Sequence, residues 1–216
     1  MARAVNFYQT LFFDIDETLY PKNNGVWRAI SKKIDLFMVD RLQISEDEAQ
    51  SLRQQYSRTF GTTLQGLRTF YTIDAEEYLD YVHDIRIEEL ISPSPELRLI
   101  LQAIKFKKII FTNASRAHAE RVLMCLDVSD LFDRIIDIQS LNYVNKPLPE
   151  AYQCALERSG SPDPSRCMIV DDQIRNLIPA KALGMRTILI GDSRSKFVDH
   201  NITTIEELSE RIFSPA

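Results

Sequence analysis

Asp14 and Asp16 stand one position apart at the end of an apolar run, in "LFFDIDETLY" (residues 11–20). A bare carboxylate is expensive to bury, so two of them behind such a run call for a chemical reason. Three later sets join them: Thr112 and Asn113 in "KKIIFTN" (107–113), Lys146 in "NKPLPEAY", and Asp171 with Asp172 in "RCMIVDD" (166–172). Carboxylates brought together repel strongly unless a cation sits among them. With no histidine or cysteine nearby, a hard divalent ion suits them, Mg2+ above all. Lys146 adds positive charge and Thr112 and Asn113 add hydrogen-bond donors, a set that suits a phosphoryl group. Residues two apart on a strand point the same way, but the chain must turn after Asp14, which frees Asp16 for a separate position. One carboxylate can then attack phosphorus and form an aspartyl-phosphate. The other can protonate the leaving alcohol, then deprotonate the water that breaks the intermediate.

Such residues act together only if the fold brings them to one edge. "TLFFDI" reads as a short, fully buried strand of the kind found inside parallel sheets. "KKIIFTN", "RIIDI" (134–138), "RCMIVDD" and "RTILIG" (186–191) look like it or support it. Helical patterns lie between them at 116–126, 148–160 and 174–184, the last closed by Gly184. This alternation argues for an α/β protein, a parallel sheet with helices on both faces. In such sheets the active site lies beyond the carboxyl ends of the strands, where all the residues above fall. Residues 22 to about 92 break the pattern with helical periods alone, over 27–42, 46–60 behind a Ser45 cap, and around 64–71 and 74–85. "SPSPEL" (92–97) leads back, with Ser94 as N-cap and Pro95 at the first helical position. The expected organisation is a core of residues 1–20 and 93–216 interrupted by a helical cap, 21–92.

The 216 residues suffice for one domain with an insertion or for two small domains. A net charge of −5 gives no electrostatic footprint for nucleic acid or an anionic membrane. An anionic substrate stays within reach where a metal and a lysine concentrate positive charge. No apolar run approaches the ~20 residues of a membrane span, and "MARAVNFYQT" lacks the apolar stretch of a secretory signal. Cys125, Cys154 and Cys167 are an odd number without metal-ligand spacing and read as buried free thiols. Together these features favour a reducing, cytoplasmic setting. A monomer and a homodimer are equally compatible with them.

"DIDETLY", "FTNAS", "NKPLPEAY" and "VDDQIRNLIPAKALGM" resemble, in order and spacing, the four motifs of the haloacid dehalogenase-like (HAD) phosphohydrolases. The resemblance covers nearly the whole chain and implies a Rossmann-like core with an inserted α-helical cap of the C1 type. Within the superfamily, "TLYP", "GTTLQGL", "YLDYVHDI" and "AERVL" resemble the pyrimidine 5′-nucleotidase branch. The resemblance implies Asp14 as nucleophile and Asp16 as general acid/base, its backbone carbonyl also ligating Mg2+. Thr112 and Asn113 would hold the phosphoryl group, with Lys146 neutralising it and steadying Asp14. Asp172 aligns with the main metal-binding aspartate, and Asp171 with the variable position before it, often a water-mediated ligand. Asn176 matches a position that orients the acidic loop. Glu17 departs from the branch, which usually has a small polar residue there, and its extra charge is expected to alter substrate approach. The implied substrate is a small phosphate ester, a pyrimidine nucleoside 5′-monophosphate.

Bland readings accompany several residues. His118 reads as a packing or surface histidine, and His83 as a structural hydrogen bonder or a cap residue facing substrate. Tyr71, Tyr78, Tyr81 and Trp27 read as cap core. Among rival functions, a sugar-phosphate or phosphoglycolate phosphatase would differ only in its cap. A dehalogenase would leave Asp16 idle, because an alkyl halide needs no leaving-group proton. A HAD-fold binding or regulatory protein is the non-enzymatic alternative, and the intact quartet Asp14, Asp16, Lys146 and Asp172 argues against it.

Overall fold

Leu11, Phe12 and Phe13 show no polar alternation because the strand they form is covered on both faces. That strand, β1 (Thr10–Phe13), lies at the centre of a six-stranded parallel sheet in a computed structural model that describes residues 8–208. Residues 1–7 and 209–216, which hold most of the N-terminal stretch read above and both ends of the expected core, lie outside the described residues. The other strands are β2 (Lys107–Phe111), β3 (Arg134–Ile136), β4 (Cys167–Asp171), β5 (Arg186–Ile190) and β6 (His200–Ile202), ordered β3-β2-β1-β4-β5-β6. Phe13 pairs with Ile110 on one side and Val170 on the other, so the residues that follow these strands emerge side by side.

Successive side chains serve opposite layers, as the two-residue strand period requires. Leu11, Phe13, Ile110 and Val170 join one core cluster with Leu97 of α5 (Pro95–Ala103) and Val122 of α6 (Arg116–Cys125). Phe12, Phe111 and Ile169 join the other, with Tyr152 of α7 (Pro149–Ser159) and Leu177 of α8 (Ile174–Ala182). Full burial of each such side chain contributes about 1.5–3 kcal/mol. The chain is therefore α/β, with helices on both faces of a parallel sheet.

Between β1 and β2 runs an all-helical insert: α1 (Val26–Leu42), α2 (Glu46–Phe60), α3 (Thr63–Phe70) and α4 (Ala75–His83). Ser45, Thr62 and Asp74 cap the last three with side-chain oxygens that accept from backbone N–H groups. Helix α1 packs on α2 and α4, with Phe37 meeting Tyr78 and Tyr81 edge-on at 5.0 and 5.5 Å. Ser94 caps α5 through Leu97 N–H, with Pro95 in the first turn.

Some expectations change. Strand β6 carries too short an apolar pattern, "HNI", to be read from sequence. Tyr78 is cap core, but Trp27 is 44% exposed and lies on a cavity wall. Cys167 is buried, whereas Cys125 and Cys154 are only half-buried, since each lies near the rim of its helix's inward face. No helix among the described residues is long and apolar enough to cross a membrane.

Candidate active site

Asp14 leaves β1 with its backbone N–H on Val170 O, which keeps it in line with the sheet as the chain begins to turn. Asp14 is 9% exposed, and its carboxylate meets Lys146 Nζ at 2.9 Å. The same ammonium sits 2.7 Å from Asp171 Oδ2 and over the Phe111 ring at 5.1 Å. A buried ammonium between two carboxylates is a paired charge, and burial alone would have made it costly. Burial acts to lower the Lys146 pKa, but Asp14 and Asp171 outweigh it and push it upward, so Lys146 stays charged. Asp14 is pushed well above the usual carboxylate range by burial, with Lys146 opposing.

Asp171 is fully buried and heavily bonded. Gln173 N–H and Asn176 Nδ2 donate to Oδ1, at 2.8 and 3.0 Å, while Lys146 and the same Asn176 amide reach Oδ2. Asp172, 6% exposed, faces Lys22 Nζ at 2.9 Å and Gln173 Nε2 at 2.6 Å. Burial and Asp171 raise its pKa, with Lys22 opposing. Carboxylate oxygens of Asp14, Asp171 and Asp172 lie within 4.8 Å of one another. An all-oxygen donor set, buried and carrying excess negative charge, fits a hard divalent cation.

Asp16 stands apart from this cluster. Its Oδ1 accepts from Tyr20 Oη at 2.6 Å and meets His118 Nε2 at 2.8 Å. Burial raises the Asp16 pKa, but the charge and hydrogen bond of His118 and the Tyr20 hydroxyl outweigh it, holding the carboxyl at about 2. His83, from the end of α4, stacks on His118 at 4.4 Å and shares a hydrogen bond with Ser115 Oγ at 3.0 Å. Burial and the neighbouring His118 lower the His83 pKa to about 3, so His83 is neutral at pH 7.

Thr112 and Asn113 follow β2 at the same edge. Thr112 Oγ1 accepts from Ala114 N–H, and the Asn113 amide is spent on the Lys146 backbone, donating to its O at 3.0 Å and accepting from its N–H at 2.8 Å. Asn113 thus fixes the loop that carries the lysine. Glu17, in a left-handed conformation at φ 57°, lies 3.8 Å from Lys22. All the expected residues meet around one cavity of about 400 Å³, except that Asp171 sits behind its wall. The insert closes the far side with Trp27, Ile30, Gln54, Arg58 and Val82.

Sequence reasoning missed His118, Lys22 and Tyr20, the last of which bonds Asp16 through its hydroxyl. His118 is neither a surface nor a simple packing residue: its side chain is fully buried and bonds Asp16. The signal available was its place three residues after the Ser115 cap, on the same inward face as Ala119 and Val122. Lys22 carries no motif, and its link to Asp172 spans the chain.

Comparison with known proteins agrees with this fold. The family profile of haloacid dehalogenase-like hydrolases matches residues 8–184. The chain is 27% identical over 220 residues to phosphate metabolism protein 8 of Saccharomyces cerevisiae, covering 95% of this chain and 68% of that protein. It is 30% identical over 106 residues to hexitol phosphatase B of Escherichia coli K12, covering 46% and 47% of the two chains. It is 23% identical to glyceraldehyde 3-phosphate phosphatase of Methanocaldococcus jannaschii, over 92% of this chain and 94% of that one. Among solved structures, a HAD phosphatase from Thermococcus onnurineus superposes with a TM-score of 0.64 at 22% identity, covering 94% and 96% of the chains. The magnesium-bound HAD-hydrolase YfnB of Bacillus subtilis gives 0.65 at 20%, over 94% and 97%. With a profile match over most of its length and the fold to accompany it, the chain belongs to the haloacid dehalogenase-like hydrolases.

Proposed function

We propose that the protein is a Mg2+-dependent phosphomonoester hydrolase that works through an aspartyl-phosphate on Asp14. The observation that carries this reading is the buried Lys146 ammonium seated on Asp14 and Asp171. It steadies one Asp14 oxygen and leaves the other for attack on phosphorus. Asp14, Asp172 and the Asp16 carbonyl would hold Mg2+, with Asp171 behind them fixing Lys146. Bound there, Mg2+ neutralises charge on the phosphoryl group. Thr112 and Lys146 supply donors to its oxygens, and Asn113 keeps Lys146 in place. Asp16 passes a proton to the leaving oxygen and then takes one from water. The negative charge of an arriving phosphate raises the Asp16 pKa from its low resting value and favours the acid form.

Residues 21–92 form the cap in this reading, docked so as to exclude water, and the setting is cytoplasmic. Its apolar wall of Trp27, Ile30 and Val82, with Gln54 and Arg58 as polar points, suits a planar heterocycle bearing carbonyls. A pyrimidine nucleoside 5′-monophosphate is therefore the preferred substrate. The names of the hexitol and glyceraldehyde 3-phosphate phosphatases support a second reading, a small polyol or sugar phosphate.

A phosphate-release screen decides between them. With Mg2+ present, kcat/KM for UMP should exceed that for AMP by at least ~10-fold, about 1.4 kcal/mol, which one lost hydrogen bond supplies. A best rate on a sugar phosphate or phosphoglycolate would transfer the assignment to the second reading. No Mg2+-dependent release from any ester, p-nitrophenyl phosphate included, would remove both.

A further inference from the structure

We infer that His118, backed by His83 of the helical insert, is a positioning residue that aims Asp16 at the leaving group. The inference rests on the reading of Asp16 as general acid/base. Both donors to the Asp16 carboxylate, Tyr20 Oη at 2.6 Å and His118 Nε2 at 2.8 Å, converge on Oδ1. Among the described residues no hydrogen bond reaches Oδ2, so that oxygen is free to carry a proton toward a substrate. Two donors on one oxygen fix the rotation of a carboxyl that a single bond would leave loose.

The His118 side chain is fully buried, and its Nδ1 has no hydrogen-bond partner. A buried ring nitrogen without a partner carries a desolvation cost that an apolar residue would avoid. The bond to Asp16 is the interaction that offsets it. His118 stands on α6, in the core, while His83 comes from the last turn of α4, in the insert. The two rings stack at 4.4 Å with an interplanar angle of 21°. His83 is itself tied to Ser115 Oγ at 3.0 Å, and Arg121 donates to its backbone carbonyl at 3.1 Å. Seating of the insert is thereby linked to the aim of Asp16 through one ring-on-ring contact.

The test compares leaving groups. An alkyl phosphate needs proton donation as its alcohol departs, whereas p-nitrophenolate leaves without it. His118→Phe keeps a ring of similar size and loses the donor; His118→Gln keeps an N–H donor and loses the ring. With His118 as a positioning residue, the Phe variant loses at least ~10-fold more kcat on an alkyl phosphate, such as glycerol phosphate, than on p-nitrophenyl phosphate. Its KM and Mg2+ requirement stay near wild type, and the Gln variant recovers much of the loss. Should His118→Phe not fold, His118→Leu removes the same donor with a smaller apolar side chain. A Phe or Leu variant with equal losses on both esters, or with none, overturns the inference, as does a Gln variant that behaves no better.

Asp16→Asn, measured alongside, separates two failures. If it lowers alkyl-ester turnover selectively while the His118 variants do not, only the positioning role falls. If Asp16→Asn shows no leaving-group dependence, the general-acid reading falls and the positioning role with it.

Discussion

At the scale of single residues, the proposed reaction rests on one carboxylate inside the protein. Asp14 is raised by burial, and Lys146 at 2.9 Å is the group that opposes this. Asp14→Asn preserves the shape and removes the attacking oxyanion, so turnover should fall at least a thousandfold, roughly 4 kcal/mol of barrier. Folding should survive, because the change relieves carboxylate repulsion. A variant keeping more than a tenth of wild-type turnover with saturating metal would rule out Asp14 as nucleophile. Residues of this kind were legible in the sequence because the chemistry demands a particular residue type at a strand end. Asp14, Thr112 and Asp172 follow strands and Lys146 lies in the loop ahead of α7, where local pattern and the proposed chemistry coincide. His118 and Lys22 were not legible, because their partners Asp16 and Asp172 are distant along the chain and no local pattern marks a pairing made by tertiary packing. Asn113 was legible as a site residue, yet its spent amide could be seen only once Lys146 was placed beside it.

At the scale of elements, the insert meets the core near the cavity through several contacts, three of them from the last turns of α4 and α2. His83 stacks on His118, Arg175 donates to Ser57 O, and the end of α2 presses on the Lys146 loop. The third contact depends on Gly61, whose φ of +85° disfavours any other residue. A Cβ there would lie 2.4 Å from Asn145 Nδ2, 2.7 Å from Lys146 O and 2.7 Å from Pro147 Cδ. Gly61→Ala should therefore cost about 2–4 kcal/mol of stability through strain and overpacking, read by urea unfolding. Turnover should drop on the order of a hundredfold in the fraction that folds, because the loop carrying Lys146 must shift. Gly160→Ala is the control: its φ is +70°, but only Lys107 Nζ lies near, at 3.8 Å. It should lose stability and keep turnover. Wild-type turnover in Gly61→Ala would show that α2 does not fix the lysine loop. Helices and most strands could be read beforehand because their hydrophobic periods are local. Contacts such as this one could not, since a glycine at a helix end reads as a cap whether or not another loop lies against it.

For the whole molecule, the acidic cluster sets a balance between metal, protons and stability. Asp14 and Asp172 have pKa values raised on folding, chiefly by burial. A carboxyl raised in this way stabilises the fold below its unfolded pKa, near 3.8 for these groups, and loses that contribution as pH rises through the folded value. Above those raised values the ionised carboxylates of Asp14 and Asp172 are thus a cost to the metal-free fold, and a divalent cation held there would relieve it. Mg2+ at a hundred times its Kd should raise the unfolding free energy by about 2.7 kcal/mol. For a chain of this size that is roughly 5–11 °C in Tm. Lowering the pH through the raised pKa values should shrink the gain, since protons then compete for the same oxygens. Scanning calorimetry with and without Mg2+, at matched ionic strength and several pH values, measures this. Asp172→Asn should abolish most of the Mg2+ shift while leaving the sheet intact. An equal shift from NaCl at the same ionic strength, or one that survives Asp172→Asn, would mean that the stabilisation arises from surface charge rather than from this cluster.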